Sequence, residues 1–567
     1  SLISADRVHP TAEGAEKLAD AVAESILSAL AGPAVPLAPE RYRRPADWKG
    51  AIYPKDLHTI AAESSEATME RAAKQMEKVD AVNRSGKYRA SGYSIDSHKC
   101  PDWFVDAKFG IFVDWGLWSI ASYAPYKKGE RLYPDWYEQR GFVPYDPDDQ
   151  IFGCWEYHKK NWGEDFKRDH FIDLFRGRDF DAPKLVRLFR ECGAKYVVPF
   201  LKHHSGFCLW DCSYTFRDSV DQGAHRDFAK EIADACRAEN LKFGCYNSQA
   251  TEWEYPLLAE DGTLKTMLWG GYDTVDYGPE MEYVASGKIA VRDFVRDYIV
   301  PQMTEFVEKY DPDLLWFDAD WTNRATENGS YDIAAYFYNL AEGRKEVCVN
   351  DRYGRLDPAE ENALKRRGAT CIGCRTVRGD FFTDEWGDTS ADITPEAWHP
   401  WESCSGISKC YGNHWMEESD PSMVMTDREF VIHFADIVAR GGNLLLLVNL
   451  DGQGALPKIQ EERLRSIGEW LGRWGEAIYA TRILAPFSTE DVDYTASKDG
   501  RSRYAIVKNA ADRVTLECEI PENVAVTVVG ESGELEWSRA GSGATVAIPA
   551  AYARSRLPFC LKIAERR

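Results

Sequence analysis

The sequence predicts an α/β chain: a (β/α)8 barrel followed by a C-terminal β-sandwich. Three observations predict it. From Asp106 onward, strand-like runs alternate with amphipathic helical stretches; the runs are too apolar to face water on either side; and beyond Arg473 the pattern changes to short β-branched segments broken by turns. At 567 residues the chain exceeds one ordinary domain and is long enough for a large barrel with appendages.

In chain order, residues 1–32 stand apart. Asp6-Arg7-Val8-His9-Pro10 leads into an amphipathic helix over 15–30, and this D-x-x-H resembles the closing segment of SGNH-type hydrolases, which supplies the Asp and His of a triad. No serine motif precedes it, and GDTS at 387–390 comes in the wrong order, so His9 has nothing to activate. The expectation is the tail of an upstream SGNH esterase domain; an ordinary surface helix is the alternative. Residues 33–97 are read as linker and helix, with a Pro-rich, non-periodic stretch over 31–50 and a helical pattern at about 65–81.

Residues 98–475 are read as the barrel. Eight candidate strands fall at 108–116, 195–204, 241–248, 314–321, 345–352, 369–374, a weaker run near 403–411, and 442–450. Helical spacing separates most of them, as in Phe228, Ile232, Ala235 and Cys236, and over 291–310 and 428–440. A further helix at 458–473 closes the unit. Residues 476–567 are read as the sandwich, from the runs RYAIVK, RVTLECEI, VAVTVV and ATVAIP and the turns Lys498-Asp499-Gly500 and Gly541-Ser542-Gly543.

Charge excludes some partners. A net charge of -23 and a pI near 5.1 argue against nucleic acid and anionic membranes, both of which want basic patches. No run of 18 apolar residues is present. A neutral glycan or glycoside fits, and the 19 Trp and 28 Tyr suit sugar stacking as well as a large aromatic core. The 14 cysteines lack a disulfide spacing, and Cys192, Cys236, Cys245 and Cys348 sit inside expected strands and helices, which predicts a reducing, cytoplasmic setting. Cys371 and Cys374 could pair with Cys404 and Cys410 around zinc, but the second pair's spacing is poor for a ribbon, so no metal and no cofactor are expected. The start of the chain lacks a signal-peptide pattern.

The chemistry centres on LLWFDADW, residues 314–321. An apolar strand delivers Asp318 between aromatics, making it the candidate nucleophile. Strand alternation places Trp316, Asp318 and Asp320 on one face and Leu315 and Phe317 on the other. The competing reading is a strand that ends at a helix N-cap supplied by Asp318 or Asp320. Other expected strands also end in polar or aromatic residues: Asp114-Trp115, His203-His204, Tyr246-Asn247 and Asn350-Asp351-Arg352. Barrels keep their active sites at those carboxyl ends.

The ordered motifs WFVDAKFGIFVDWGLWS, DWYEQR, GAKYVVPFLKHHSGFCLW, LLWFDADW, VNDRYG, WESCSGISKCYGN and GGNLLLLVNLDGQGALP resemble glycoside hydrolase family 29, the retaining α-L-fucosidases, over about residues 100–567. The resemblance implies a barrel plus β-sandwich, an exo-acting double displacement on terminal α-L-fucosides, and Asp318 as nucleophile. It implies Glu385 as acid/base, in a loop after the sixth strand, with Asp384 and Glu402 as rivals. His203 and His204 would hold the sugar hydroxyls, Asp135 and Trp136 would contact it, and Tyr246, Trp316 and Arg352 would complete the wall. Blander readings stand beside these: one core and one surface histidine, a plain Arg352–Asp351 ion pair, a merely packed Tyr246.

The chain departs from the family where H-W-G usually follows the first strand, since it has Asp114; Ala319 and Asn247 also differ from the usual residues. Asp114 is expected to face the sugar as a charged acceptor at the barrel mouth and to shift its identity. The alternatives are therefore an α-L-galactoside or O-modified fucoside, or a glycan-binding barrel without catalysis.

Overall fold

The computed structural model describes residues 35–50, 57–125, 130–142, 154–268, 273–278, 281, 284–319, 323–366, 371–372, 375–376, 378–386 and 398–566. The D-x-x-H segment with Asp6 and His9, the GDTS run, Asp320 and Cys374 lie outside them.

Eight strands form the central sheet: β1 Phe109–Asp114, β2 Tyr196–Lys202, β3 Lys242–Asn247, β4 Leu314–Phe317, β5 Cys348–Val349, β6 Phe382–Glu385, β7 Trp401–Gly406 and β8 Asn443–Asn449. Their order is β6-β7-β8-β1-β2-β3-β4-β5, and every pairing is parallel. A parallel bridge between Asn350 and Phe381 joins the two outer strands and closes the barrel. Closure explains the apolar runs: both faces of each strand are covered. Phe112, Phe200, Tyr246, Leu314, Trp316, Leu445 and Leu447 fill the interior. Their alternating neighbours Ile111, Val113, Leu315, Phe317, Leu444 and Leu446 pack outward in the main core.

The sixth strand is not where the sequence reading put it. Cys371–Ile372 pairs antiparallel with Arg375–Thr376 in a local two-stranded element, while Phe382–Glu385 pairs with β7 in the barrel. An apolar run of two or three residues can satisfy its backbone in either arrangement, and only the partner decides. The seventh strand likewise lies earlier than 403–411, at Trp401–Gly406. A three-stranded antiparallel sheet, Tyr255–Leu258, Leu264–Leu268 and Asp273–Asp276, follows β3 and was not anticipated.

The helix Ser65–Ser85 buries Met69, Ala72, Met76 and Val79, and Asn83 Nδ2 donates to Asp332 O at 3.0 Å. The Pro-rich stretch before it is docked where described: Ala38 and Tyr42 are buried, and Ala38 N donates to Asn161 Oδ1 at 2.9 Å.

The C-terminal unit has β9 Thr481–Ser488, β10 Val492–Ser497, β11 Ser502–Val507, β12 Arg513–Leu516, β13 Val524–Val528, β14 Trp537–Ala540, β15 Gly543–Ala547 and β16 Phe559–Glu565. They make a five-stranded sheet β9-β10-β11-β16-β13 and a three-stranded sheet β12-β15-β14, antiparallel throughout. Arg482 and Lys498 reach back to Asp106 at 2.7 and 2.9 Å, beside the start of the barrel.

Candidate active site

A cavity of about 480 Å³ opens at the carboxyl ends of the barrel strands. Nine of the ten expected residues line it: Asp135, Trp136, His203, His204, Tyr246, Trp316, Asp318, Arg352 and Glu385. Phe112, Phe200 and Trp316, all pointing into the barrel, supply an apolar floor.

Asp318 follows β4 directly. The next described helix opens at Ser330 after Gly329, so Asp318 does not cap it. Its two oxygens are instead divided between two donors: Tyr246 Oη to Oδ2 at 2.7 Å and Arg352 Nη1 to Oδ1 at 3.0 Å. Its own N–H donates to Gln249 Oε1 at 3.0 Å, which pins the backbone. Burial, then the charge of Asp318, drives the Tyr246 hydroxyl well above its ordinary range, so it remains a donor.

Glu385 is the last residue of β6 rather than a loop residue. Its side chain is 37 % exposed, enough to meet both a leaving group and water. Tyr133 Oη donates to its Oε1 at 3.3 Å, and Arg352 Nη2 reaches Oε2 at 3.4 Å. Arg352 Nε donates to Thr383 Oγ1 at 3.0 Å, so Thr383 and Glu385 share the face toward Arg352. Strand alternation then turns Asp384 away, and it is buried off the cavity. Glu402 is also set aside: fully buried, it accepts from Tyr196 Oη and from Trp316 Nε1, the latter at 2.9 Å. Burial, opposed by these two donors, pushes its carboxyl up to about 7. It braces Trp316 from behind.

The histidine pair lies just past the end of β2, where the pleat no longer forces adjacent side chains apart. The ring centroids are 4.0 Å apart, and both residues face the cavity. Ser248 Oγ donates to Thr251 O at 2.8 Å, so it accepts from His204 Nδ1 at 2.6 Å. That leaves Nε2 of His204 as the acceptor, 3.9 Å from Asp318 Oδ2. Burial pushes His204 down to about 3, keeping it neutral. His203 Nε2 lies 3.7 Å from Asp135 Oδ2. His203 Nδ1 and Asp135 Oδ1 are buried without hydrogen-bond partners among the described residues, and both residues line the cavity.

Asp114 is the exception. It ends β1, paired with Asn449, but it is fully buried and absent from the cavity wall. Trp118, in the short helix Trp118–Ala121, covers it and donates from Nε1 to Asp114 Oδ1 at 2.8 Å. Burial raises its carboxyl to about 7, with the Trp118 hydrogen bond opposing. The expectation of a fixed negative charge at the barrel mouth is therefore corrected: Asp114 is a covered group behind Trp118, whose ring centroid lies 5.0 Å from that of His203.

The sequence reading missed Tyr133, Tyr411, Arg131 and Arg140, which also line the cavity. Tyr133 bonds Glu385 and accepts from Trp386 Nε1 at 3.3 Å. No periodic pattern marks the loop holding Tyr133 and Arg131; only proximity to the Asp135-Trp136 motif could have drawn notice. Gln249 was missed for the same reason, lying in the loop after β3.

Among known proteins, the family described as Alpha-L-fucosidase matches residues 75–476. Human plasma alpha-L-fucosidase is 32% identical over 418 residues, covering 73% of this chain and 77% of its own. An alpha-L-fucosidase of Branchiostoma floridae is 30% identical over 476 residues, covering 82% and 92%. The crystal structure of Thermotoga maritima alpha-fucosidase in complex with fucose superposes with a TM-score of 0.65 at 28% identity, over 84% of this chain and 100% of that one. The chain belongs to the alpha-L-fucosidase family of glycoside hydrolases.

Proposed function

We propose that the chain hydrolyses terminal α-L-fucosides with retention of configuration, with Asp318 as nucleophile and Glu385 as acid/base. The observation that carries this reading is that one guanidinium, Arg352, lies within reach of both carboxylates. A retaining pair works at a separation of about 5–5.5 Å, which two acids sharing one planar cation can adopt. Tyr246 and Arg352 hold the two oxygens of Asp318 in a fixed plane, so attack needs little reorganisation.

In the first step an Asp318 oxygen bonds to the anomeric carbon as the bond to the leaving oxygen breaks, and Glu385 gives that oxygen its proton. In the second, Glu385 takes a proton from water, the water oxygen bonds to the anomeric carbon, and the Asp318 ester bond breaks. The neutral His204, with its acceptor nitrogen toward the cavity, suits a sugar hydroxyl. The apolar floor of Phe112, Phe200 and Trp316 suits the methyl group of a deoxy sugar. A cavity walled by the barrel on its inner side favours cleavage of a terminal unit.

Proton NMR during hydrolysis of an aryl α-L-fucoside tests the reading. Fucose must appear first as the α-anomer; first appearance of the β-anomer overturns the double displacement. Parallel trials with an aryl α-L-galactoside decide the sugar.

A further inference from the structure

A second cavity, of about 550 Å³, lies outside the catalytic wall. Its lining comes from residues 41–50, the turn around 173–178 and the loop 451–453 after β8. Ile120 of the short helix Trp118–Ala121 lines this cavity, and Ala124 and Pro125, a few residues beyond the helix, line the catalytic one. Trp115 Nε1 donates to Asp451 O at 2.8 Å, tying the loop to the carboxyl end of β1. Both cavities therefore belong to the end of the barrel that carries the candidate active site.

Several polar atoms of this wall have no hydrogen-bond partner among the described residues. Trp162 is 1% exposed, yet its indole N–H has no acceptor, and neither has the indole N–H of Trp48 or Nε of Arg43. Gln453 Oε1 has no donor, although its amide nitrogen reaches Leu174 O at 3.1 Å. Such groups are rare in folded chains unless a ligand or water meets them. Charge points the same way. Arg41 is paired with Glu418, but no ion pair of Arg43, Lys49 or Arg178 is formed among the described residues. Asp47, Asp173 and Asp451 also line the cavity, and Asp451 is occupied with the backbone amides of Gln453 and Ala455 at 2.9 and 3.0 Å. Three cations at one cavity with no ion pair among the described residues stand out in a chain of net charge -23.

We propose that this cavity is a second carbohydrate-binding site, for a saccharide bearing a sulfate or carboxylate group. The oxyanion accepts from Arg43 and the indole N–H groups and is balanced by Lys49 and Arg178. A ring hydroxyl donates to Gln453 Oε1, which an inorganic anion cannot do. An acidic glycan held here is tethered beside the catalytic mouth, which raises the local concentration of its fucosylated ends.

The test is calorimetric titration of the full chain, with fucose saturating the catalytic cavity, using glucuronate, glucose 6-sulfate, glucose and inorganic sulfate. Both or either of the acidic sugars should bind, and the doubly substituted Lys49→Ala, Arg178→Ala chain, altered only at exposed positions, should bind at least about tenfold more weakly. Its turnover of an aryl fucoside should be unchanged. Gln453→Leu should weaken the sugars and leave sulfate alone. Absence of binding by both acidic sugars overturns the proposal, as does displacement by fucose or equal binding by the double variant. Glucose binding as tightly as its sulfate overturns the anion assignment, and sulfate binding as tightly as glucose 6-sulfate overturns the sugar assignment.

Discussion

Arg352 holds Asp318 with one terminal nitrogen, Nη1 to Oδ1 at 3.0 Å, and turns its other toward Glu385 at 3.4 Å. Its Nε is fixed by Thr383 Oγ1, which itself donates to Asp351 Oδ1 at 2.6 Å. The planar fork thus sets the relative placement of two acids that come from different strands. A lysine is a single point charge and cannot serve both. Arg352→Lys should lower kcat for an aryl fucoside by roughly 10²-fold, the scale of one displaced positioning contact. Wild-type kcat in that variant would show that the fork is not needed.

Asp318→Gly removes the group that bonds to the anomeric carbon. Turnover should fall by about four orders of magnitude or more, since no other side chain can take that place. Added azide should restore product with inverted configuration. A variant that keeps more than about a tenth of the activity removes Asp318 from the role.

Glu385→Ala should affect poor leaving groups far more than activated aryl ones, because only the former need the proton in the first step. Comparing kcat/KM across aryl fucosides of graded leaving-group acidity checks this. A uniform loss across the series would assign Glu385 to binding instead.

Glu402 predicts a pH dependence of stability. Its carboxyl titrates at about 7 when folded, against an ordinary value of 4.5. Between those values the folded chain binds more protons than the unfolded one, so the stability contributed by protonated Glu402 is full at low pH and is lost as pH rises toward 7. Glu402→Gln cannot ionise. It should match the wild type near pH ~4 and exceed it above pH ~7, by up to about 3 kcal/mol at 1.36 kcal/mol for each displaced pH unit. Denaturant melts at several pH values measure the gap; a gap that does not widen with pH sinks the argument.

Much of the fold and of the candidate site was legible in the residues. Strands β1, β2, β3, β4 and β8 announce themselves because a closed barrel buries both faces, so the runs 109–114, 196–202, 242–247, 314–317 and 443–449 are almost wholly apolar between their end residues. The same logic placed Asp318, Tyr246 and the histidine pair at strand ends, and period-two alternation placed Trp316 inward and Phe317 outward. Tertiary structure decided the rest. Which short run became the sixth strand depended on pairing with β7, a contact absent from any local window. That choice put Glu385 on a strand facing Arg352, turned Asp384 away and buried Glu402 behind Trp316. Asp114 shows the limit most clearly: its position in the chain marks a strand end at the barrel mouth, but whether a carboxylate there faces substrate or lies covered depends on where the indole of Trp118 comes to rest, four residues on in sequence and fixed only by packing.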